Sequence, residues 1–257
     1  MRLIGELTFQ EVSRRLRASS ILCLPVGSME QHGPHLPLNT DAVLAEAFTR
    51  AIVERFGETH DLWQLPGLPV GLSREHAWAP GTLSLSVTTM TALLRDLARE
   101  ISRALPAKNL VLINGHGGNR GILDAVGREL CADFGLNLCT LHLGALISPV
   151  TGAAVPEIHG GRDETSAMLA PAPDLVRRER IADLKSPPDG GAIRSLILDP
   201  ATSWPWSSDD PRITDTGVIG DPAGASAEHG RAIMERVVTA AGEVLRQLIE
   251  NQKASGR

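Results

Sequence analysis

The sequence has no tyrosine and only four tryptophans and four phenylalanines. A chain so poor in aromatics lacks the stacking platform that single-stranded nucleic acid needs. It also lacks a lysine–arginine cluster. Its 25 basic residues stand against 30 acidic ones, for a net charge of −5, so nucleic acid is not an expected partner. Long apolar runs are missing too, and without about 18 consecutive apolar residues no membrane span is expected. Met1 to Glu6 show none of the apolar core of a signal peptide. Cys23, Cys131 and Cys139 are few, odd in number and set among apolar neighbours. They read as buried thiols of a cytoplasmic protein, not as a disulfide frame.

What is present is an alternation of two periods over 257 residues. Ile21 to Val26 and Leu110 to Ile113 are short continuous apolar runs, as buried strands require, and Leu138 to Leu143 reads as a third strand. Val43 to Phe56 places Val43, Leu44, Ala47, Phe48, Ala51 and Ile52 on one helical face. Thr88 to Leu105 does the same with Met90, Leu93, Leu94, Leu97 and Ile101. Leu62 to Val70 reads as extended and interrupted by proline. Gly121 to Phe134, Glu164 to Leu169 and a long stretch from Ala227 to Ile249 read as further helices, and the last residues from Asn251 are expected to fray. Strands alternating with helices imply an α/β fold with a mostly parallel sheet covered on both faces. One domain spanning residues 1–257 is the simplest account. Residues 186–221, rich in Pro, Gly, Ser and Asp and carrying Trp204 and Trp206, are too long for an idle loop and read as a lid or an oligomer contact.

Chemistry gathers at three strand ends. Gly27 to Asp41 follows the first buried strand and holds Glu30, His32, His35 and Asp41 between rigid prolines. Glu30 and His32, two apart, project to the same side of an extended segment. Asn114-Gly-His-Gly-Gly-Asn119 follows the second strand but matches neither a phosphate loop nor a dinucleotide fingerprint. Glycine on both sides of His116 implies that backbone approaches a ligand or metal closely. His159-Gly-Gly-Arg-Asp-Glu-Thr-Ser166 is the third. Carboxylate and imidazole ligands without thiolate suit Zn, Mn or Fe in a hydrolytic site. Charge favours two ions: two divalent cations are neutralised by Glu30, Asp41 and Glu164 with one bridging hydroxide, and a partly buried site needs that balance.

These residues resemble the creatininase family of metal-dependent amidohydrolases. The family's E-x-H-G-P-H-L-P-L-x-T-D stretch stands at Glu30 to Asp41, its N-G-H-G-G-N turn at Asn114 to Asn119, and its H-(A/G)-G-x-x-E-T-S stretch at His159 to Ser166. A Pro-Gly-Thr-x-Ser loop is at Pro80 to Ser84. The resemblance implies a three-layer α/β/α sandwich, commonly hexameric, with two divalent ions, Zn or Mn. One ion would take Glu30, Asp41 and His116, the other His32 and the shared Asp41, and His159 would transfer protons. Creatininase has a glutamate at the position of Gly118, so Glu164 is inferred to supply the missing carboxylate. It also has a tryptophan at the position of Val155. Both departures turn the expected substrate from creatinine to another small, neutral or weakly charged amide, probed by Gln31, Ser73, Glu75, His76, Gly117 and Gly118. Trp78, Trp204 and Trp206 would supply an apolar wall. The implied reaction is attack on an amide carbonyl by a bridging hydroxide, with ring opening of a cyclic amide favoured. Peptide trimming of the mycofactocin type is the alternative, since Gly217 to Pro222 also resembles that branch.

Overall fold

The protein is described by a computed structural model over residues 2–149, 156–184 and 190–255. In chain order, α1 (Phe9–Arg15) precedes β1 (Ile21–Val26), α2 (Thr40–His60) leads to β2 (Leu62–Gln64), and α3 (Val87–Ala104) leads to β3 (Asn109–Asn114). Then α4 (Arg120–Phe134) leads to β4 (Asn137–His142), followed by α5 (Leu143–Ile147), α6 (Arg162–Leu169), α7 (Gly190–Leu196) and α8 (Ala227–Ser255). The strands form one parallel sheet in the order β2-β1-β3-β4, with Ile21 level with Leu62 and Asn109, and Asn109 level with Asn137.

The alternation of side chains along β1 and β3 divides two apolar layers. Ile21, Cys23, Val111 and Ile113 meet Leu44, Phe48 and Ile52 of α2 and Ile233, Val237 and Leu245 of α8. Leu22, Leu24, Leu110 and Leu112 meet Met90, Leu94 and Ala98 of α3 and Leu123, Val126 and Leu130 of α4. Both faces are covered, which is why β1 and β3 are apolar almost without interruption and buried throughout. This is the expected α/β/α sandwich.

From β1 the chain crosses to β2 on one side, and from β2 it returns to β3 on the other. The crevice between the carboxyl ends of β1 and β3 is therefore the topological switch point, where open α/β sheets keep their ligands. The loops Gly27–Asn39 and Gly115–Asn119 open into it.

Several element limits differ from the sequence expectation. The extended run from Leu62 keeps only Leu62–Gln64 in the sheet, because Pro66 and Pro69 cannot donate to a ladder; a lone bridge joins Leu68 to Val26. Residues expected to fray continue α8 to Ser255. The irregular segment contains α7 and an apolar cluster of its own, with Ile193, Ile213 and Ile219 buried together. Its residues 185–189 lie outside the described ones. The cysteines are free, Cys23 buried and the other two only half-buried. No helix among the described residues is long and apolar enough to cross a membrane.

Candidate metal centre

Two carboxylates of the site sit in first helical turns. Asp41 opens α2 and Glu164 opens α6, where the helix dipole favours negative charge. Glu30 and His32 come from the loop after β1, His116 from the turn after β3, and His159 from the segment before α6. Gly115 makes the junction possible. A Cβ there would lie 2.5 Å from the Asp41 carbonyl oxygen and 3.2 Å from Ala45 Cβ. At Gly115 the close approach is to the backbone of α2, and it brings His116 against Asp41; at Gly117 a Cβ would meet nothing within 4 Å.

All six residues converge. His116 Nδ1 lies 3.0 Å from Asp41 Oδ2 and 3.3 Å from Glu30 Oε1. His32 Nε2 lies 3.3 Å from Asp41 Oδ1 and 3.8 Å from Glu164 Oε1. His159 Nδ1 lies 3.6 Å from Glu30 Oε1. Asp41 therefore turns one oxygen to each of two histidines. Three overlapping donor groups are close enough to hold an ion: Glu30 with Asp41 and His116, His32 with His159 and Glu164, and Glu30 with His76 and His159.

Hydrogen bonds to the outer nitrogens fix which ring atom faces inward. His32 Nδ1 donates to the Glu30 carbonyl (3.1 Å), His116 Nε2 to the Leu72 carbonyl (2.6 Å) and His159 Nε2 to the Gln31 carbonyl (2.6 Å). A carbonyl only accepts, so each outer nitrogen carries a hydrogen, and each inner nitrogen, which faces carboxylates, is left to take a second proton or a cation. Glu30 Oε1 and Oε2, His32 Nε2 and Asp41 Oδ2, all buried, have no hydrogen-bond partner among the described residues. Donor atoms that only accept, packed together out of water, call for a cation. The set fits divalent metal on this ground.

Without an ion, protons on two of the histidines supply the positive charge. Burial alone would lower the His32 pKa, but Asp41 and Glu164 outweigh it and raise it to about 10. His116 is likewise raised well above its ordinary value, by Glu30 and Asp41 against its burial. Asp41 is held low by these two histidines despite burial. Burial, with Asp41 and Glu30 adding to it, pushes Glu164 up to about 7. His159 goes the other way, held well below the imidazole range by burial and by the nearby His76 and His32 rings.

The centre opens into a cavity of about 850 Å³, lined on one side by Glu30, Asp41, His116, His159 and Glu164. Glu75, His76, Gly117 and Gly118 also line it. Gly118 is required in this arrangement: a Cβ would fall 2.4 Å from both Glu75 Oε1 and the Leu72 carbonyl oxygen. Gln31 and Ser73 do not line the cavity. The Ser73 hydroxyl is taken up by Ser28, and Gln31 lies behind the wall, bonded to His76 and the Gly217 carbonyl. Glu164 does turn inward, with the Gly160 amide donating to its Oε2 at 2.6 Å. Val155 lies outside the described residues.

Other contributors were not read from the sequence. Arg74 and Arg120 line the cavity beside Trp204, Pro205 and Trp206, so cations are at hand there. Ser208 bonds His76 at 2.7 Å and Trp78 at 2.8 Å. Asn119 clamps the loops together, accepting from the Leu72 amide and donating to the Gly27 carbonyl. The asparagines of the turn carried that signal, since an amide both donates and accepts. Ser208 carried none, because its contacts form across 130 residues or more.

Known proteins resemble this arrangement along nearly its whole length. The Creatininase family, described as creatinine amidohydrolase, matches residues 5–245. A mycofactocin precursor peptide peptidase of Mycobacterium tuberculosis is 35% identical over 245 residues, covering 91% of this chain and 88% of that protein. A creatinine amidohydrolase of Pseudomonas putida is 32% identical over 265 residues, covering 95% and 96%. A solved structure titled "Creatininase Mn" superposes with a TM-score of 0.77 at 31% identity, covering 96% of this chain and 98% of that one. The chain belongs to the creatininase family of amidohydrolases.

Proposed function

We propose that the protein is a metal-dependent amidohydrolase that holds two divalent ions, Zn or Mn with Fe as a further candidate, and cleaves a C–N amide bond. The observation that carries this reading is the set of inward lone pairs. Three histidines, each locked by a backbone carbonyl, face carboxylates that lack partners. Glu30, Asp41 and His116 would hold one ion, and His32, Asp41 and Glu164 the other, with Asp41 shared because its two oxygens face different histidines. Bound there, the ions would lower the pKa of a water toward neutrality and polarise the amide carbonyl.

The remaining steps belong to side chains. His159 is neutral, with its Nε2 hydrogen engaged by Gln31 and its Nδ1 lone pair facing the centre. It is placed to take a proton there and return it to the leaving nitrogen, the two halves of general acid–base catalysis. Trp204 and Trp206 line the cavity and would offer the amide an apolar wall.

The motifs favour ring opening of a small cyclic amide other than creatinine. A second reading, trimming of a short peptide, is favoured by the size and rim of the cavity. Its volume of about 850 Å³ is near the upper end of small-molecule sites, and Arg74 and Arg120 offer partners for a terminal carboxylate. The cytoplasm and a homo-oligomer are the setting this reading assumes. The test is kcat/KM for creatinine, for other five- and six-membered cyclic amides and for short peptides under identical metal loading. Ring opening gives turnover on the cyclic amides with creatinine poor. Preference for peptides selects the second reading, and no hydrolysis of any amide by metal-loaded protein refutes both.

A further inference from the structure

His32, His159 and His76 stack in a row, with ring centroids 4.2 and 4.1 Å apart. The first two have an outer nitrogen held by a backbone carbonyl. His76 differs. Its Nδ1 faces the Gln31 side-chain nitrogen at 2.9 Å and the Ser208 hydroxyl at 2.7 Å. Counting hydrogens decides which way these bonds run.

Gln31 Oε1 accepts from the Gly33 amide at 2.9 Å, so its other terminal atom is the NH₂ group, a donor only. One of its hydrogens goes to the Gly217 carbonyl at 3.0 Å. The second has His76 Nδ1 at 2.9 Å and His159 Nε2 at 3.2 Å. His159 Nε2 already donates to the Gln31 carbonyl and has no lone pair to offer, so the second hydrogen goes to His76. Ser208 Oγ accepts from the Trp78 indole at 2.8 Å. Its own hydrogen has the Glu75 carbonyl at 3.3 Å or a share of the His76 Nδ1 lone pair at 2.7 Å, and as a hydroxyl it can donate to that nitrogen or accept from it. A hydrogen on His76 Nδ1 would collide with the Gln31 N–H. Nδ1 is therefore the lone-pair nitrogen, and the hydrogen of the neutral ring sits on Nε2, which faces Glu30 Oε1 at 3.5 Å.

We propose that His76 is a hydrogen-bond donor to the centre and not a metal ligand, and that Gln31, whose NH₂ group can only donate to Nδ1, is the positioning residue that sets its tautomer. His76 lines the cavity, so the same N–H is aimed at the Glu30 carboxylate and at the space where the carbonyl oxygen of a bound amide gains charge. Ser208 is fully buried and belongs to the irregular segment, which also sets Trp206 edge-on against His76 at 6.0 Å. Gln31 of the first motif loop thus orients the ring, and Ser208 of the covering segment packs behind it. The effect on turnover rests on the amidohydrolase reading, whereas the tautomer does not.

The test is a long-range ¹H–¹⁵N correlation spectrum of the full-length, zinc-loaded, ¹⁵N-histidine protein, with Gln31→Leu, Ser208→Ala and His76→Gln alongside. The expected spectrum gives His76 a protonated Nε2 and an unprotonated, metal-free Nδ1. Gln31→Leu is expected to mix the tautomers and lower kcat roughly 3–10-fold, the worth of one hydrogen bond, with ion content little changed. Ser208→Ala keeps the tautomer. His76→Gln retains an N–H donor and all bound metal. A hydrogen on Nδ1, a metal-shifted Nε2, or loss of an ion from folded His76→Gln protein overturns the proposal. The wild-type spectrum decides even where a variant fails to fold. If that spectrum is as expected but no amide is hydrolysed, the functional reading fails and the tautomer assignment stands.

Discussion

The apolar layers on the sheet faces and the polar pocket at its carboxyl edge are buried alike, and they respond to burial in opposite ways. Phe48, Leu44 and Ile21 are fully buried among other apolar side chains, and nothing about them asks for a further partner. Glu30, His32 and Asp41 are no more than 2% exposed, yet four of their side-chain atoms lack hydrogen bonds among the described residues. One region is complete as the chain folds. The other is arranged for something positively charged that the chain itself does not contain, and the apolar layers hold it in place against the repulsion of its own groups.

If that contrast is right, changes in the two regions separate metal binding from stability. The largest effect is expected from Asp41→Ala, which removes the carboxylate facing both His32 and His116. Both ions and all hydrolysis should go while the ion-free protein still melts cooperatively. Elemental analysis showing a full metal complement would break the assignment. Next is His159→Ala, expected to keep both ions and lose about 10²–10⁴-fold in kcat; a variant that loses metal instead makes His159 a ligand. Phe48→Ala tests the opposite region. It should cost about 3–5 kcal/mol by denaturant titration, with the ion content of the folded fraction unchanged.

Glu164→Gln should weaken one ion alone, by roughly 10–100-fold as for other partners around a metal, seen as one displaced step in a competitive chelator titration. The smallest effect is in protons. With its pKa raised to about 10 in the ion-free protein, His32 is protonated at pH 7, and an incoming cation must displace that proton. Uptake at pH 7 should therefore release protons, detected by calorimetry in buffers of different ionisation enthalpy. Affinity should strengthen as pH rises toward about 10, and an affinity that is flat with pH would contradict the histidine's place in the centre.

Legibility in the sequence followed the same division. β1, β3, α2 and α3 were readable because each buries a regular pattern: an apolar run for the central strands, and recurrence every three or four residues for the helices. α1 was missed because none of its residues is fully buried and only Val12 packs against the core, so periodicity is silent there. Its real signal is the capping box between Thr8 and Glu11. The cluster of Ile193, Ile213 and Ile219 was invisible, since contacts between distant residues leave no period. The six residues of the centre were legible because each stands at a strand end in a motif rich in ligand types. Arg74, Arg120 and Ser208 were not, because their roles arise only when the chain returns over the crevice.

The carbonyls of Glu30, Gln31 and Leu72 that orient the three histidines belong to the main chain, which every amino acid supplies alike. No single side-chain replacement at those positions deletes the acceptor; only a change in the path of the loop does. The orientation of the three rings is thereby insulated from point mutation at those positions, while Glu75, Trp204, Trp206 and the arginines meet the cavity with side chains that a substitution changes directly. Such a division lets one lineage inherit a fixed hydrolytic engine and redraw the cavity around it. A ring-opening enzyme and a peptide-trimming one can then differ in their walls while sharing the same centre.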